Sequence, residues 1–121
     1  MKICISEWLS NDYPEVYASL CGALIQSNIN CQVHASTKEV RARDYMPVHL
    51  GDGKYVTFNF APDYLVEKGS KYITNQKNVI QDIDLNVVAH LDIVLDGGNL
   101  VRCGEKTIMT DKVISENPNI R

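Results

Sequence analysis

The sequence predicts an α/β domain assembled from small β/α units, and three patterns point to it. The first third reads as strand, helix, strand. Apolar and polar residues then alternate in short runs bounded by turn residues. Pairs of such runs followed by a helix recur loosely along the chain, as repeated modules without a countable sequence repeat. The 121 residues fit one domain, 1–121, and a chain of this size can bury roughly two thirds of the surface its unfolded form exposes.

"MKICIS" (Met1 to Ser6) is the first strand. In "NDYPEVY", Asp12 can cap a helix, Pro14 suits its first turn and Glu15 complements its positive end. Val16, Tyr17, Leu20, Ala23 and Leu24 recur at helical spacing to about Gln26. "CQVHA" (Cys31 to Ala35) returns as a strand, so that the helix crosses between two strands of one sheet. "PVHL", the turn "GDGK" and "YVTFNF" read as a hairpin. "APDYLVEKGSKYIT" is irregular, and a helix is expected from about Asn75 to Asp82. "HLDIVLD" and "NLVRC" are strands on either side of a glycine pair, "GE" turns the second into "KTIMT", and "DKVISENPNIR" opens a short helix that Pro118 ends.

Composition narrows the function. The chain is 45% hydrophobic and 22% charged with a net charge of -3, which is globular composition without the clustered cations that nucleic acid or an acidic membrane surface requires. Mean hydropathy is -0.17, no apolar run is long enough for a bilayer, and "MKICIS" is too short for a secretory signal. Cys4, Cys21, Cys31 and Cys103 form no CxxC pair, so reduced cysteines and a cytoplasmic location are expected. His34, His49 and His90 have no metal-ligand spacing, and "GDGKY" lacks the third glycine and the helix start of a phosphate loop. No metal and no cofactor are expected.

Two acidic residues end apolar stretches beside backbone-shaping residues: Asp44 before "YMP" and Asp96 before "GGN". The glycines permit positive φ and close approach of another group, which would present Asp96 toward a pocket; a strand-ending Asp-Gly turn explains the same letters, and on spacing alone it is favoured. Asp44 has its own plain reading, a surface ion pair with Arg41 or Arg43. Two carboxylates on one pocket suit a planar cation, because a guanidinium offers parallel N–H donors that a carboxylate accepts in pairs.

"RDYMP", "FNFAPDYL", "LDGGNLV" and "TIMTDKVISENP", in that order, resemble the N-terminal part of the agmatine deiminase and bacterial peptidylarginine deiminase family, whose proteins hydrolyse a guanidino group to a ureido group. The likeness covers the chain from about Lys38 onward and, more loosely, the β-α-β before it. It implies a pentein fold, an α/β propeller of ββαβ modules around a central site, of which this chain would form the first modules of an incomplete ring. It further implies that Asp44 grips the substrate guanidinium with Arg43 as support, and that Asp96 occupies the acidic position of the (Glu/Asp)-Gly-Gly motif with Asn99 following in the same pattern.

The departures bear on activity. The family's chemistry needs a later His-x-Asp and a nucleophilic Cys near the C-terminus, and neither is expected to be present here. Thiolate attack on the guanidinium carbon, loss of ammonia and hydrolysis of the S-linked intermediate would stall without them. Cys103 falls at a hairpin turn with no His beside it in sequence, so no catalytic residue is assigned. Where relatives carry Trp before the "xRD", this chain has Arg41, a positive charge that would repel a cationic ligand.

Three functions remain at this point. The leading one is a deiminase-like N-terminal part, natural or a piece of a longer chain, that keeps half of a guanidinium site and is inactive alone. The second is a stand-alone module that binds a guanidino small molecule or an arginine side chain, or mates with a partner chain. The last is a hydrolase built from several copies, which multiplies the carboxylates but supplies no His-x-Asp. An incomplete ring exposes sheet edges, so a homo-oligomer, or completion by the missing C-terminal part, is expected.

Overall fold

The computed structural model describes residues 2–120. It is a mixed α/β fold with three small sheets that do not close into a barrel. β1 (Lys2–Ser6) pairs in parallel with β2 (Asn30–His34), and between them run α1 (Trp8–Asp12) and α2 (Pro14–Gln26). Pro14 does start a helix, but Asp12 closes α1 instead of capping α2, which begins after Tyr13 without a side-chain cap. The apolar residues of α2 have the expected helical spacing, yet Leu24 is its one buried residue, while Val16 and Ile25 are exposed.

The second unit follows the short helix α3 (Ala42–Tyr45). β3 (Val48–Gly51) and β4 (Lys54–Asn59) form an antiparallel hairpin; β5 (Asn86–Val94) pairs with β4 in parallel, giving the order β3-β4-β5. Between β4 and β5 lie α4 (Asp63–Val66), a 3-10 turn (Ser70–Tyr72) and α5 (Gln76–Ile83). The element order is therefore ββαβ. The hairpin turn places Asp52 at φ 50° and Gly53 at φ 68°, the two left-handed residues that a tight turn between twisted strands favours. The irregular segment between "FNF" and α5 holds only the short α4 and the 3-10 turn, while α5 matches the helix expected from about Asn75. Asn75 caps it, accepting a hydrogen bond from the Lys77 amide at 3.0 Å.

The third sheet is a ribbon of β6 (Leu100–Cys103) and β7 (Lys106–Met109) with α6 (Asp111–Glu116) after it. Two core clusters share Phe60. Tyr45, Val79 and Ile83 pack with Ala42 and Cys4, joining α3 and α5 to β1. Phe58, Leu95 and Val113 join β4 and the end of β5 to α6. Tyr45 meets the Phe60 ring edge-on, and its carbonyl accepts a 2.8 Å hydrogen bond from Gln76 Nε2. α3 is thus pinned on two sides despite being a single turn. Among the described residues no helix is long and apolar enough to cross a membrane.

Candidate functional site

Asp44 sits on α3 next to Tyr45, whose side chain is buried in the core. Neighbouring residues on a helix point about 100° apart, so burying Tyr45 turns Asp44 away from the core. It faces the turn that follows β5. There, Leu95 is buried and its amide donates to the Asn59 carbonyl at 3.1 Å, Asp96 ends the extended run, and a 3-10 turn (Gly97–Asn99) leads into β6. A Cβ on Gly98 would lie 2.7 Å from Asp44 Oδ1, and one on Gly97 would overlap the Arg43 carbonyl oxygen. Neither glycine is among the residues with positive φ. The glycines are there because α3 presses against the turn, not because the backbone needs a left-handed residue.

The turn that Asp96 opens is therefore packed against Asp44, and the Asp44 charge reaches the Asp96 carboxyl. Asp96 is 8% exposed. Burial pushes its carboxyl up to about 6; Lys112 opposes this, and the charges of Asp44, Glu116 and Asp63 add to it. Lys112, on α6, reaches into the group: its Nζ is 2.9 Å from Asp63 Oδ1, 3.6 Å from Glu116 Oε1 and 3.9 Å from Asp96 Oδ2.

A second cluster surrounds Asp44. The Tyr64 hydroxyl, from α4, lies 3.2 Å from Asp44 Oδ2 and 3.4 Å from Glu39 Oε1, and donates to one at a time. Arg41 Nη2 is 3.1 Å from Glu39 Oε2, its Nε is 3.9 Å from Asp44 Oδ2, and its guanidinium lies 4.1 Å over the centre of the Tyr64 ring. Burial raises the Glu39 carboxyl, with Arg41 pulling it back. The Tyr64 hydroxyl is also pushed up, first by burial and then by the charges of Glu39 and Asp44, so it remains a hydrogen-bond donor throughout the physiological range.

Arg43 and Asn99 serve the scaffold. The Arg43 guanidinium donates from Nε to the Gly97 carbonyl at 3.3 Å and from Nη2 to the Leu100 carbonyl at 2.9 Å, clamping the glycine turn to α3. The Asn99 amide donates to the Asp96 carbonyl at 2.8 Å, closing the 3-10 turn, and its side-chain Oδ1 accepts from the Thr110 hydroxyl. Both hold Asp96 in place; neither side chain is among the groups around the acids.

Glu39, Asp63, Tyr64, Lys112 and Glu116 were not singled out in the sequence. Tyr64 and Asp63 lie in "FNFAPDYL", and Lys112 and Glu116 in "TIMTDKVISENP", so the signal was present as motifs without assigned roles. A polar ladder on the β4–β5 face was missed as well. Thr57 Oγ1 is 2.9 Å from His90 Nδ1, Asn59 Oδ1 is 3.2 Å from His90 Nε2, and Asn59 Nδ2 donates to Asp92 at 2.9 Å. The chain does hold a His-x-Asp, contrary to the expectation that none is present: His90 and Asp92 share a face because side chains alternate along a strand, and the pair precedes the glycine pair instead of following it. Cys103 is exposed and paired across the ribbon with Lys106, about 10 Å along β6 from Leu100 at the usual strand rise.

Compared with known proteins, the chain matches no family model, and no curated protein is significantly similar to it.

Proposed function

We propose that this chain carries one side of a guanidinium-binding site of the deiminase type and does not turn over substrate by itself. The observation that carries the reading is that the turn holding Asp96 packs its Gly98 on Asp44, so that the two partly buried carboxylates feel each other's charge. Like charges repel, and a cation shared by them would relieve the repulsion. A flat, forked guanidinium offers each oxygen a donor. The ββαβ order of β3 to β5 supports the pentein expectation, as does the family likeness of the four motifs that supply the two clusters. The chemical steps would fall to residues that this chain does not bring to the acids: Cys103 lies along the ribbon, and His90 is engaged by Thr57 and Asn59.

Calorimetry with agmatine, arginine and an arginine-terminated peptide tests the reading. Binding is expected in the micromolar to millimolar range and lost in Asp44→Asn, with no ammonia released from any of the three. Absence of heat at millimolar ligand would remove the binding reading, and turnover abolished by Cys103→Ala would replace it with an enzyme.

Completion by a second chain is favoured by a separate observation. Among the described residues β6 and β7 form a ribbon with no third strand, and Val101, Ile108 and Met109 on it, with Ile114 on α6, are exposed. A two-stranded ribbon is marginal in water unless something covers it. Self-association of the purified chain is therefore expected in light scattering, with mass rising with concentration; a monomer at every concentration would count against it.

A further inference from the structure

We infer that Arg41 is a resident guanidinium: it occupies the cradle formed by Glu39, Asp44 and Tyr64, and an external guanidino ligand must displace it to reach Asp44. The inference rests on the guanidinium reading of the site and adds how access to it is controlled. Three contacts define the cradle. Arg41 donates from Nε to Glu39 Oε2 at 3.1 Å, has its guanidinium carbon 4.1 Å from the centre of the Tyr64 ring, and comes within 3.9 Å of Asp44 Oδ2. A carboxylate oxygen shared by two guanidinium nitrogens, an aromatic face and a second carboxylate are features that favour a guanidinium over an ammonium ion. The cradle has a link that does not involve Arg41. Tyr64 bridges Glu39 and Asp44 through its hydroxyl, and the Glu39 and Asp44 side chains are only 10% and 17% exposed, whereas Arg41 is 53% exposed.

That asymmetry decides what moves. Arg41 precedes the one-turn α3, and its carbonyl accepts from the Asp44 amide at 3.0 Å, so the backbone is fixed while the half-exposed side chain on its flexible stem can leave at little cost. It also has somewhere to go. Arg41 and Glu39 border a cavity of about 820 Å³ walled by Trp8, Tyr13 and Tyr72, while Asp44 and Tyr64 do not line it. A ligand entering from the cavity therefore meets Arg41 before Asp44. On the other side, Lys112 stands against Asp96 held by Asp63 and Glu116, so each acid of the site faces a cation of the chain's own.

The test compares agmatine binding by calorimetry in the wild type, Arg41→Ala, Arg41→Gln and the double variant Arg41→Ala/Asp44→Asn. Loss of an exposed ion pair and a cation–π contact as competitor corresponds to about 10-fold tighter binding. This gain is expected in both single variants and should vanish in the double variant. Equal affinity in wild type, Arg41→Ala and Arg41→Gln, with binding still lost in Asp44→Asn, overturns the inference and leaves the guanidinium reading standing. No binding in any variant overturns both. An independent readout uses the wild type alone: the Arg41 Nε–H resonance should be shifted and protected from solvent exchange, and agmatine should return it to the position of a free arginine while 1,4-diaminobutane does not. An Arg41 Nε–H that exchanges like a solvent arginine from the outset overturns the inference.

Discussion

Gly97→Ala should destabilise the protein by about 3 kcal/mol or more, the largest effect expected of any single methyl group in the chain. The new Cβ would overlap the Arg43 carbonyl oxygen, a backbone atom of α3. Overpacking typically costs about 1–3 kcal/mol when side chains can give way. Here they cannot, because the obstacle is main chain and α3 is pinned by the buried Tyr45 and its hydrogen bond from Gln76. Shifting the turn instead would strain the Arg43 hydrogen bonds to the Gly97 and Leu100 carbonyls. For a domain whose total stability is on the order of 5–15 kcal/mol, the loss should show as a displaced urea midpoint with an unchanged slope. Gly98→Ala provides the contrast. Its Cβ would meet Asp44 Oδ1 at 2.7 Å, the far end of a side chain that can rotate, so stability should fall much less while guanidino binding is lost. Equal destabilisation by the two variants would refute the claim that the glycines are spaced for different neighbours.

These glycines also mark how far the letters of the sequence reach. "LDGGN" offers positive φ, close approach of another group or a strand-ending turn; the residues sit at ordinary φ in a 3-10 turn, with a helix from another part of the chain lying on them. The letters give the turn and the room, but not which element fills it. The elements themselves were legible wherever periodicity and turn chemistry agreed: the β1–β2 crossover, the Asp52–Gly53 hairpin, α5 from its Asn75 cap and the Gly104–Glu105 ribbon all lie where alternation and breakers put them. α1 escaped because "EWLSND" carries no cap and no full turn of apolar spacing. In the site, the two acids that end apolar runs were readable. Glu39, Tyr64 and Lys112 were not, since a single polar side chain in a loop or a short helix gives no periodic signal and acquires its role only when the other elements are assembled around it.

Asp96→Asn should stabilise the fold at neutral pH and leave it unchanged at pH 4. The carboxyl is raised from its ordinary 3.8 to about 6, with burial as the first cause, Lys112 opposing it and the charges of Asp44, Glu116 and Asp63 adding smaller increments. A group whose folded pKa lies above its unfolded value favours folding fully below about 4, and that contribution is lost as pH rises through about 6. A shift of about two units sets the loss on the order of 3 kcal/mol at most, and partial access of water to the carboxylate brings the expected gain from Asp96→Asn to about 1–3 kcal/mol above pH 7. Lys112 does not forfeit this gain, because Asp63 Oδ1 remains 2.9 Å from its Nζ. Urea melts of both proteins from pH 4 to pH 8 should converge at the acid end and separate through pH 6; parallel curves would show that Asp96 is not held protonated by its surroundings. The same titration links stability to binding. A cation bound between the acids favours the ionised form, so agmatine affinity in the wild type should rise with pH up to about 6 and then level, with a proton released on binding below that point. The separation of the melts reports the buried carboxyl, which a purely structural turn would show as well; proton release on agmatine binding is what a cation-binding site adds and a structural turn would lack.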